Sequence, residues 1–152
     1  FFAARYDYIM YTDGDNQYDV FEFNRGLPLL ATHDVIAGYA TVKAVTLVRR
    51  LQSFVFNAAV RALFGVRFKD INCSMKVYKK KVLEAVFPRS SSAFIDAEMM
   101  IRACYLKMSI GEIPTDFYLN QYRTSFIRTS TIFEFLSNLF SYRIKLFFKK
   151  IK

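Results

Sequence analysis

The chain of 152 residues contains no tryptophan, one histidine and two cysteines. Cys73 and Cys104 form no paired motif, which argues against a disulfide framework or a zinc site and favours a reducing, cytosolic compartment. The single histidine, His33, is interpreted as an ordinary loop residue. No apolar run approaches the roughly 20 residues that a transmembrane helix requires. We therefore expect a chain that touches a bilayer without crossing it.

Acidic residues are also scarce, with 13 Asp and Glu against 22 Lys and Arg and a formal charge of +9. Such an excess suits an anionic partner: nucleic acid, anionic lipid or a phosphorylated substrate. Hydrophobic residues make up 53% and aromatic residues 18% of the chain, far too many for a disordered protein. The length allows one domain with a core. Because the chain opens with FFAARYDY, without an initiator Met or a signal peptide, we expect an internal fragment of a longer protein.

Hydrophobic periodicity divides the chain into alternating strands and helices. Strands are predicted at 7–12, 34–39, 73–78 and 110–119, and helices at 45–64, 79–87, 95–107 and from about 131 to the end, with a weaker helical pattern at 21–27 before Pro28. Gly65 is expected to cap the long helix, and Pro114 to place its strand near a sheet edge. The alternation predicts an α/β layered fold.

The acidic segment YTDGDNQYDV, residues 11–20, directly follows the first predicted strand. Asp13, Asp15 and Gln17 offer hard oxygen ligands of the kind that Mg²⁺ or Mn²⁺ prefers. An EF-hand loop fails here, because Tyr18 and Asn24 stand where that loop needs glycine and glutamate. A plain solvated turn is the alternative. The position after a strand favours a metal site, since ligands of open α/β sheets bind beyond the carboxyl ends of strands.

The long predicted helix carries two different faces. One is apolar, and the other is a polar row at four-residue steps that suits either a phosphate or solvent. The apolar face comprises Leu51, Val55, Ala58 and Ala62, and the polar row comprises Arg49, Ser53, Asn57 and Arg61. Further on, Asp70 follows a loop, and Lys76 sits among apolar neighbours, where a lysine normally needs a partner.

Five segments together resemble family 2 glycosyltransferases of the dolichyl- and undecaprenyl-phosphate sugar transferase branch. They are YTDGDNQYD, DVIAGY, RRLQSFVFNAAVRALFG with KDINCSMKVYKK, FIDAEMMIRA, and GEIPTDFYLNQYR. The resemblance covers the chain from Tyr8 to about Arg128. The resemblance implies part of a GT-A fold, without the N-terminal half that normally carries a Pro-x-Tyr-Asn-Glu-like segment and binds the base and ribose.

The resemblance also implies roles for individual residues. The metal and diphosphate site is matched by Asp13, Asp15 and Gln17, and the positions that hold the lipid phosphate are matched by Arg49, Ser53 and Arg123. A basic strand position of the family is matched by Lys76. The acidic pair of the acceptor-side helix is matched by Asp96 and Glu98. Asp70 is a further candidate. The chain departs from the family pattern at Ala40, where an arginine is usual and Lys43 is a substitute, at Ser74, and in the segment TSFIRTS.

The implied reaction transfers a sugar, with inversion, from a nucleotide-diphospho-sugar to a polyprenyl or dolichyl phosphate. A divalent ion on Asp13 and Asp15 neutralises the leaving diphosphate. An ionised lipid phosphate needs no general base, whereas a glycan hydroxyl needs one, and Asp96 is the candidate. The alternative for Asp96 and Glu98 is a pair that favours a helix N-terminus.

The last predicted helix is amphipathic. Its apolar stripe comprises Phe133, Leu136, Phe140, Ile144, Phe147 and Ile151, and from Arg123 onward seven basic residues and one acidic residue give a net of +6. This combination favours an interfacial membrane helix, with a core-packing helix as the alternative. We therefore divide the chain into residues 1–128, part of the transferase domain, and residues 129–152, and expect it at the cytoplasmic face of a membrane.

Three competing hypotheses remain: a transferase with a glycan hydroxyl as acceptor, a non-catalytic remnant, and a basic nucleic-acid-binding module. The nucleic-acid-binding hypothesis does not explain the acidic turn. It also requires basic and aromatic residues on one exposed face, whereas the aromatic residues here mostly occupy apolar stripes, so no nucleic-acid partner is expected. For the transferase, Asp13 and Asp15 are predicted to end a central strand and to face a cleft near Lys76 and Arg123.

Overall fold

The computed structural model describes residues 3–43, 47–90, 94–118 and 129–148. Within these ranges the chain forms a mixed α/β fold, which confirms the predicted class. The elements are β1 (Tyr8–Tyr11), a 3₁₀ helix (Val20–Ala31), β2 (Val35–Lys43), α1 (Leu47–Phe64), β3 (Lys76–Lys79), α2 (Lys80–Val86), α3 (Ile95–Tyr105), β4 (Ile110–Phe117) and α4 (Thr129–Phe148). Where they are described, the predicted elements are confirmed within a few residues of their expected bounds, and the 3₁₀ helix continues through Pro28 to Ala31. Residues 149–152 of the last predicted helix lie outside the described residues.

The four described strands form one mixed sheet in the order β1-β3-β2-β4. Strand β3 runs antiparallel to β1 and β2, and β2 runs parallel to β4. The carboxyl ends of β1, β2 and β4 therefore lie at the same end of the sheet, together with the amino end of β3. Among the described strands β4 is at an edge, which confirms the placement of Pro114.

The prediction that Asp13 and Asp15 end a central, buried strand is wrong. Strand β1 lies at the edge of the described sheet, opposite β4. Its side chains are exposed or half-buried, with Tyr8 49% and Met10 39% exposed. An apolar run of four residues does not distinguish an edge strand from a central strand, because aromatic and β-branched side chains suit both.

Helix α1 ends as predicted. Gly65 has a φ of +71°, and its N–H donates to the carbonyl oxygen of Arg61 at 2.9 Å. Glycine reaches this left-handed conformation without a steric penalty, which explains why it follows the last helical turn.

The sheet separates two hydrophobic cores. The larger core contains Val35, Ala37 and Tyr78 of the sheet and receives side chains from all four α-helices. The smaller core contains Ile36 and Val77 of the sheet and lies beneath the 3₁₀ helix. Neighbouring residues of β2 thus serve opposite faces, as the period of a strand requires.

Helix α4 has two apolar faces, and its inner face packs on the larger core. Leu139 is fully buried, and Tyr142 lies edge-on to Phe94 with 5.4 Å between ring centroids. The outer face includes Phe140 and Ile144, which are 53% and 56% exposed. Of the predicted stripe, Phe140 and Ile144 lie on this outer face and Leu136 is half-buried, whereas the side chains of Phe133, Phe147 and Ile151 lie outside the description. No helix among the described residues has the length and apolarity needed to traverse a bilayer.

Candidate functional site at the carboxyl end of the sheet

The acidic turn leaves the carboxyl end of β1 as a tight polar loop. Asp15 accepts a hydrogen bond through Oδ1 from the backbone N–H of Gln17 at 3.2 Å. Between them Asn16 has a φ of +59°, a left-handed conformation that asparagine tolerates better than most residues. Asp13 is exposed and Asp15 is half-buried. The sequence DGDNQ thus forms a turn whose first carboxylate meets solvent.

The same turn extends from one edge of the sheet to the other. It begins after β1, and the carbonyl oxygen of Gln17 accepts a hydrogen bond from the N–H of Tyr118, just beyond β4, at 2.9 Å. Tyr18 forms an isolated β-bridge with Phe117, and their rings meet edge-on with centroids 5.4 Å apart. Because β1 and β4 are opposite edges, the turn crosses the carboxyl ends of the intervening strands. This is where α/β sheets commonly bind ligands.

Lys76 and Asp96 form a buried ion pair beside this turn. Lys76 Nζ donates to Asp96 Oδ1 at 2.9 Å and also to the carbonyl oxygen of Cys73. The Lys76 side chain is fully buried, and that of Asp96 is 14% exposed. Lys76 opens β3 and is paired in register with Tyr11, the last residue of β1, while Asp96 lies in the first turn of α3. The prediction that Lys76 needs a partner is confirmed.

The charge of Asp13 reaches the buried pair. Burial raises the pKa of Asp96, the charge and hydrogen bond of Lys76 lower it, and the charge of Asp13 raises it by a smaller amount. Burial, Asp96 and Asp13 together raise the pKa of Tyr11 to about 12, so this phenol remains protonated near neutral pH. Asp13, Tyr11, Lys76 and Asp96 therefore form one electrostatically connected group at the end of the β1–β3 pair.

Asp70 belongs to the neighbouring part of the same region. It is buried, and its charge raises the pKa values of both Tyr18 and Cys73, for which burial is the larger cause. The backbone N–H of Cys73 donates to the carbonyl oxygen of Asp70 at 3.2 Å. Asp70 thus lies at the Tyr18 end of the acidic turn.

Two of the three predicted acceptor-phosphate residues cannot be located. Arg123 and the side chain of Arg49 lie outside the description, although the backbone of Arg49 belongs to α1. Ser53 is half-buried, and its carbonyl oxygen and hydroxyl accept hydrogen bonds from Asn57 Nδ2 at 2.8 and 3.4 Å. Asn57 Oδ1 accepts from the N–H of Ile71 at 3.3 Å, so Asn57 joins α1 to the loop that precedes β3.

Glu98 faces a different part of the molecule from Asp96. It is buried, and its carboxylate accepts hydrogen bonds from the backbone N–H groups of Arg89 and Ser90, the latter at 2.7 Å. Arg102 Nη1 lies 3.8 Å from the same carboxylate. These contacts fix the loop after α2 to α3, which is a structural role.

The oxygen donors at the acidic turn are compatible with a divalent cation whose other coordination positions are filled by water and a bound substrate. Among the described residues, no three His, Cys, Asp or Glu side chains cluster closely enough to hold a metal ion. Mg²⁺ commonly binds through one or two carboxylates and completes its shell with water and substrate phosphates. Asp13 and Asp15, one residue apart at an open turn, are compatible with that mode.

Tyr11 and Tyr18 belong to this region but were not predicted as site residues. Tyr11 reads as a strand residue and Tyr18 as a turn residue, and neither carries a local signal. Tyr11 is brought to the site by strand register and Tyr18 by its bridge to β4, and both are long-range contacts. A comparison of the chain with models of known protein families gives no match.

Proposed function

We propose that the chain is part of a metal-dependent, family 2-like glycosyltransferase of the GT-A type. It transfers a sugar from a nucleotide-diphospho-sugar to a polyprenyl phosphate at a membrane surface. The observation that carries this proposal is the acidic turn, which lies across the carboxyl end of the sheet beside the buried Lys76–Asp96 pair. The order and spacing of the five family-like segments, of which the acidic turn is one, also supports it.

In this proposal Asp13 and Asp15 hold Mg²⁺ or Mn²⁺, with Gln17 beside them. The ion supplies Lewis-acid stabilisation of the charge that develops on the leaving diphosphate. Asp15 is positioned for this role by the hydrogen bond from the Gln17 N–H. Lys76 keeps the Asp96 carboxylate in place by direct pairing. Asp70, which lies near Tyr18, is a further candidate site residue.

The acceptor is assigned to a lipid phosphate held by Arg49, Ser53 and Arg123. An ionised phosphate attacks without a general base, so these residues act by neutralising and orienting it. The exposed side chains of Phe140 and Ile144 support a membrane location, because α4 keeps an apolar outer face after its inner face is buried. In this proposal the active site lies at the cytoplasmic face of that membrane.

A glycan hydroxyl is the second candidate acceptor, and one observation favours it. Burial raises the pKa of Asp96, and a carboxylate with a raised pKa is better suited to remove a proton. The two acceptors require different things of Asp96. A hydroxyl needs it as a general base, whereas a phosphate needs it only as the partner of Lys76.

Transfer assays on membranes that contain the product of the full reading frame test the proposal. Radiolabelled UDP-glucose, UDP-N-acetylglucosamine and GDP-mannose are supplied in turn, with undecaprenyl or dolichyl phosphate. We expect one donor to label the lipid, EDTA to stop the reaction and Mn²⁺ to restore it. Asp15→Asn should lower transfer by about 100-fold or more, as expected for loss of a main electrostatic stabiliser.

The matched control is Asp19→Asn, which removes a charge from the same loop. Asp19 caps the 3₁₀ helix by accepting from the Phe21 N–H at 2.9 Å, and asparagine caps equally well. Full activity of Asp15→Asn would refute the metal assignment. Abolition of lipid-phosphate transfer by Asp96→Asn, in a variant that circular dichroism shows to be folded, would refute the claim that no base is needed.

A further inference from the structure

Helix α1 presents a broad apolar face to solvent. Leu47 is 81%, Leu51 62% and Phe54 70% exposed, and Val55 is 40% exposed. The opposite side of the helix is buried through Phe56, Val60 and Phe64, so α1 is already fixed to the core without these residues. Contiguous exposed apolar surface on a helix is typical of an interaction site.

The stretch of sequence that contains α1 carries charge of one sign. Between residues 35 and 69 the sequence contains six basic residues and no acidic residue. Two of them, Arg50 and Arg61, are exposed members of α1 itself. At 100° per residue both lie beside Phe54, along one edge of this face. An apolar strip bordered by arginines is complementary to a bilayer that carries anionic lipids.

We propose that the outer face of α1, defined by Leu47, Leu51, Phe54 and Val55, docks into the interface of an anionic membrane. This inference deepens the proposed function, because it rests on a lipid-borne acceptor and names a second membrane-contacting helix besides α4. Docking through α1 has a consequence for the site. Asn57 ties α1 to Ile71, in the loop that leads to Lys76. A membrane bound to α1 is therefore held at a fixed position relative to the acidic turn.

The absence of tryptophan from the chain makes a direct test straightforward. Phe54→Trp introduces a single indole at the proposed face, and Phe21→Trp introduces one at a control site on the 3₁₀ helix, where Phe21 is 75% exposed. Each variant is mixed with phosphatidylcholine vesicles containing phosphatidylglycerol. We expect the emission of Phe54→Trp to shift to the blue and to be quenched by lipids with brominated acyl chains. Phe21→Trp should show neither change.

A binding measurement completes the test. Leu51→Ser combined with Phe54→Ser should weaken partition into the same vesicles by at least about tenfold, because two apolar side chains no longer leave water. Arg50→Gln and Arg61→Gln should each weaken it roughly fivefold, with little effect on neutral vesicles. All four side chains are exposed, so circular dichroism should report an unchanged fold.

The possible failures are distinguishable. A blue shift of Phe54→Trp that needs no vesicles and grows with protein concentration would show that a second copy of the chain covers α1, and would overturn the proposal. A response of Phe140→Trp to vesicles, without any response of Phe54→Trp, would also overturn the proposal but would leave the membrane role of α4 intact. Vesicle binding through α1 does not depend on the metal site. Full transferase activity in Asp15→Asn would therefore refute the proposed metal site without changing the expected response of Phe54→Trp.

Discussion

Lys76 is a cation whose side chain is fully buried, and its charge is balanced by Asp96 at 2.9 Å. Removing one member of a buried pair leaves the other charge without compensation in a poorly solvated place. Lys76→Met, which keeps the length of the side chain, should therefore lower the free energy of unfolding by about 3 kcal/mol. Urea denaturation followed by circular dichroism measures this change.

The control is Lys81→Gln, which breaks the pair between Lys81 and Asp34 at the surface. Lys81 is 65% exposed, so its loss should change the free energy of unfolding by about 1 kcal/mol or less. Adding Asp96→Asn to Lys76→Met should recover part of the lost stability, because no uncompensated charge then remains. Equal effects of Lys76→Met and Lys81→Gln would contradict the importance assigned to the buried pair.

Asp34 gives the protein a dependence on pH at the other end of the sheet. Its carboxylate accepts from Lys81, and from the hydroxyl and backbone N–H of Ser109 at 2.9 and 3.2 Å. These contacts, Lys81 first, hold the pKa of Asp34 well below its ordinary value. The unfolded carboxylate binds a proton near pH 4 and the folded one does not, so this contribution is present above about pH 4 and is lost as the pH falls.

Asp34→Asn should accordingly flatten the loss of stability between about pH 5 and pH 3. The measurement is the urea midpoint of both proteins across that range, taken as a difference. Asp96, whose pKa is raised, contributes with the opposite sign in both proteins and cancels. Parallel curves for the two proteins would show that Asp34 is not the titrating group.

Individual residues were predictable where their chemistry is local. The need of Lys76 for a partner follows from its apolar neighbours, and the turn at Asp13 and Asp15 follows from its Asp, Gly and Asn residues. The identity of the partner was not predictable. Asp96 lies 20 residues beyond Lys76, and only the packing of α3 against the sheet brings the two together.

Among the elements, α4 shows what helical periodicity predicts and what it misses. The periodicity of its apolar stripe is compatible with either a membrane-facing or a core-packing helix. In the structure, other side chains of α4 form a separate apolar face that packs on the core. The same holds for α1, where Leu51 and Val55 face outward while Phe56 and Val60 face the core. Two apolar faces of similar composition do not reveal which one is buried, because the choice is made by neighbouring elements.

Adjacent residues of α4 should therefore behave in opposite ways. Leu139 is fully buried, so Leu139→Ala should lower the free energy of unfolding by about 2–5 kcal/mol. Phe140 is 53% exposed, so Phe140→Ala should change it by about 0.5 kcal/mol or less while weakening binding to anionic vesicles. Denaturation and vesicle flotation of both variants check this. A large loss of stability in Phe140→Ala would make α4 a core helix on both faces.

Strand order was the least predictable feature of the elements. The type and sequence of the strands were evident from periodicity, but β1 was expected in the centre and lies at an edge. Strand order depends on long-range pairing such as Tyr11 with Lys76, which leaves no signal in either segment alone. Pro114 was informative because proline cannot donate to a neighbouring strand, and that is a local property.

At the scale of the whole molecule, the sheet has two chemically different ends. Lys79, Lys81 and Asp34 pair at the amino end of β2 and stabilise the fold. The acidic turn and the Lys76–Asp96 pair occupy the opposite end, where β1, β2 and β4 terminate. A divalent cation bound by Asp13 and Asp15 should therefore be sensed at one end of the sheet and not at the other.

Paramagnetic broadening by Mn²⁺ in the amide NMR spectrum tests this claim directly, because it locates a bound ion even when binding is weak. With Mn²⁺ well below the protein concentration, we predict that signals of residues 13–17 disappear first, while those of Asp34 and Ser109 persist. Asp15→Asn should abolish the selective loss, and Asp19→Asn should retain it. Uniform broadening across the spectrum, or selective broadening that survives in Asp15→Asn, would contradict a metal site at the acidic turn.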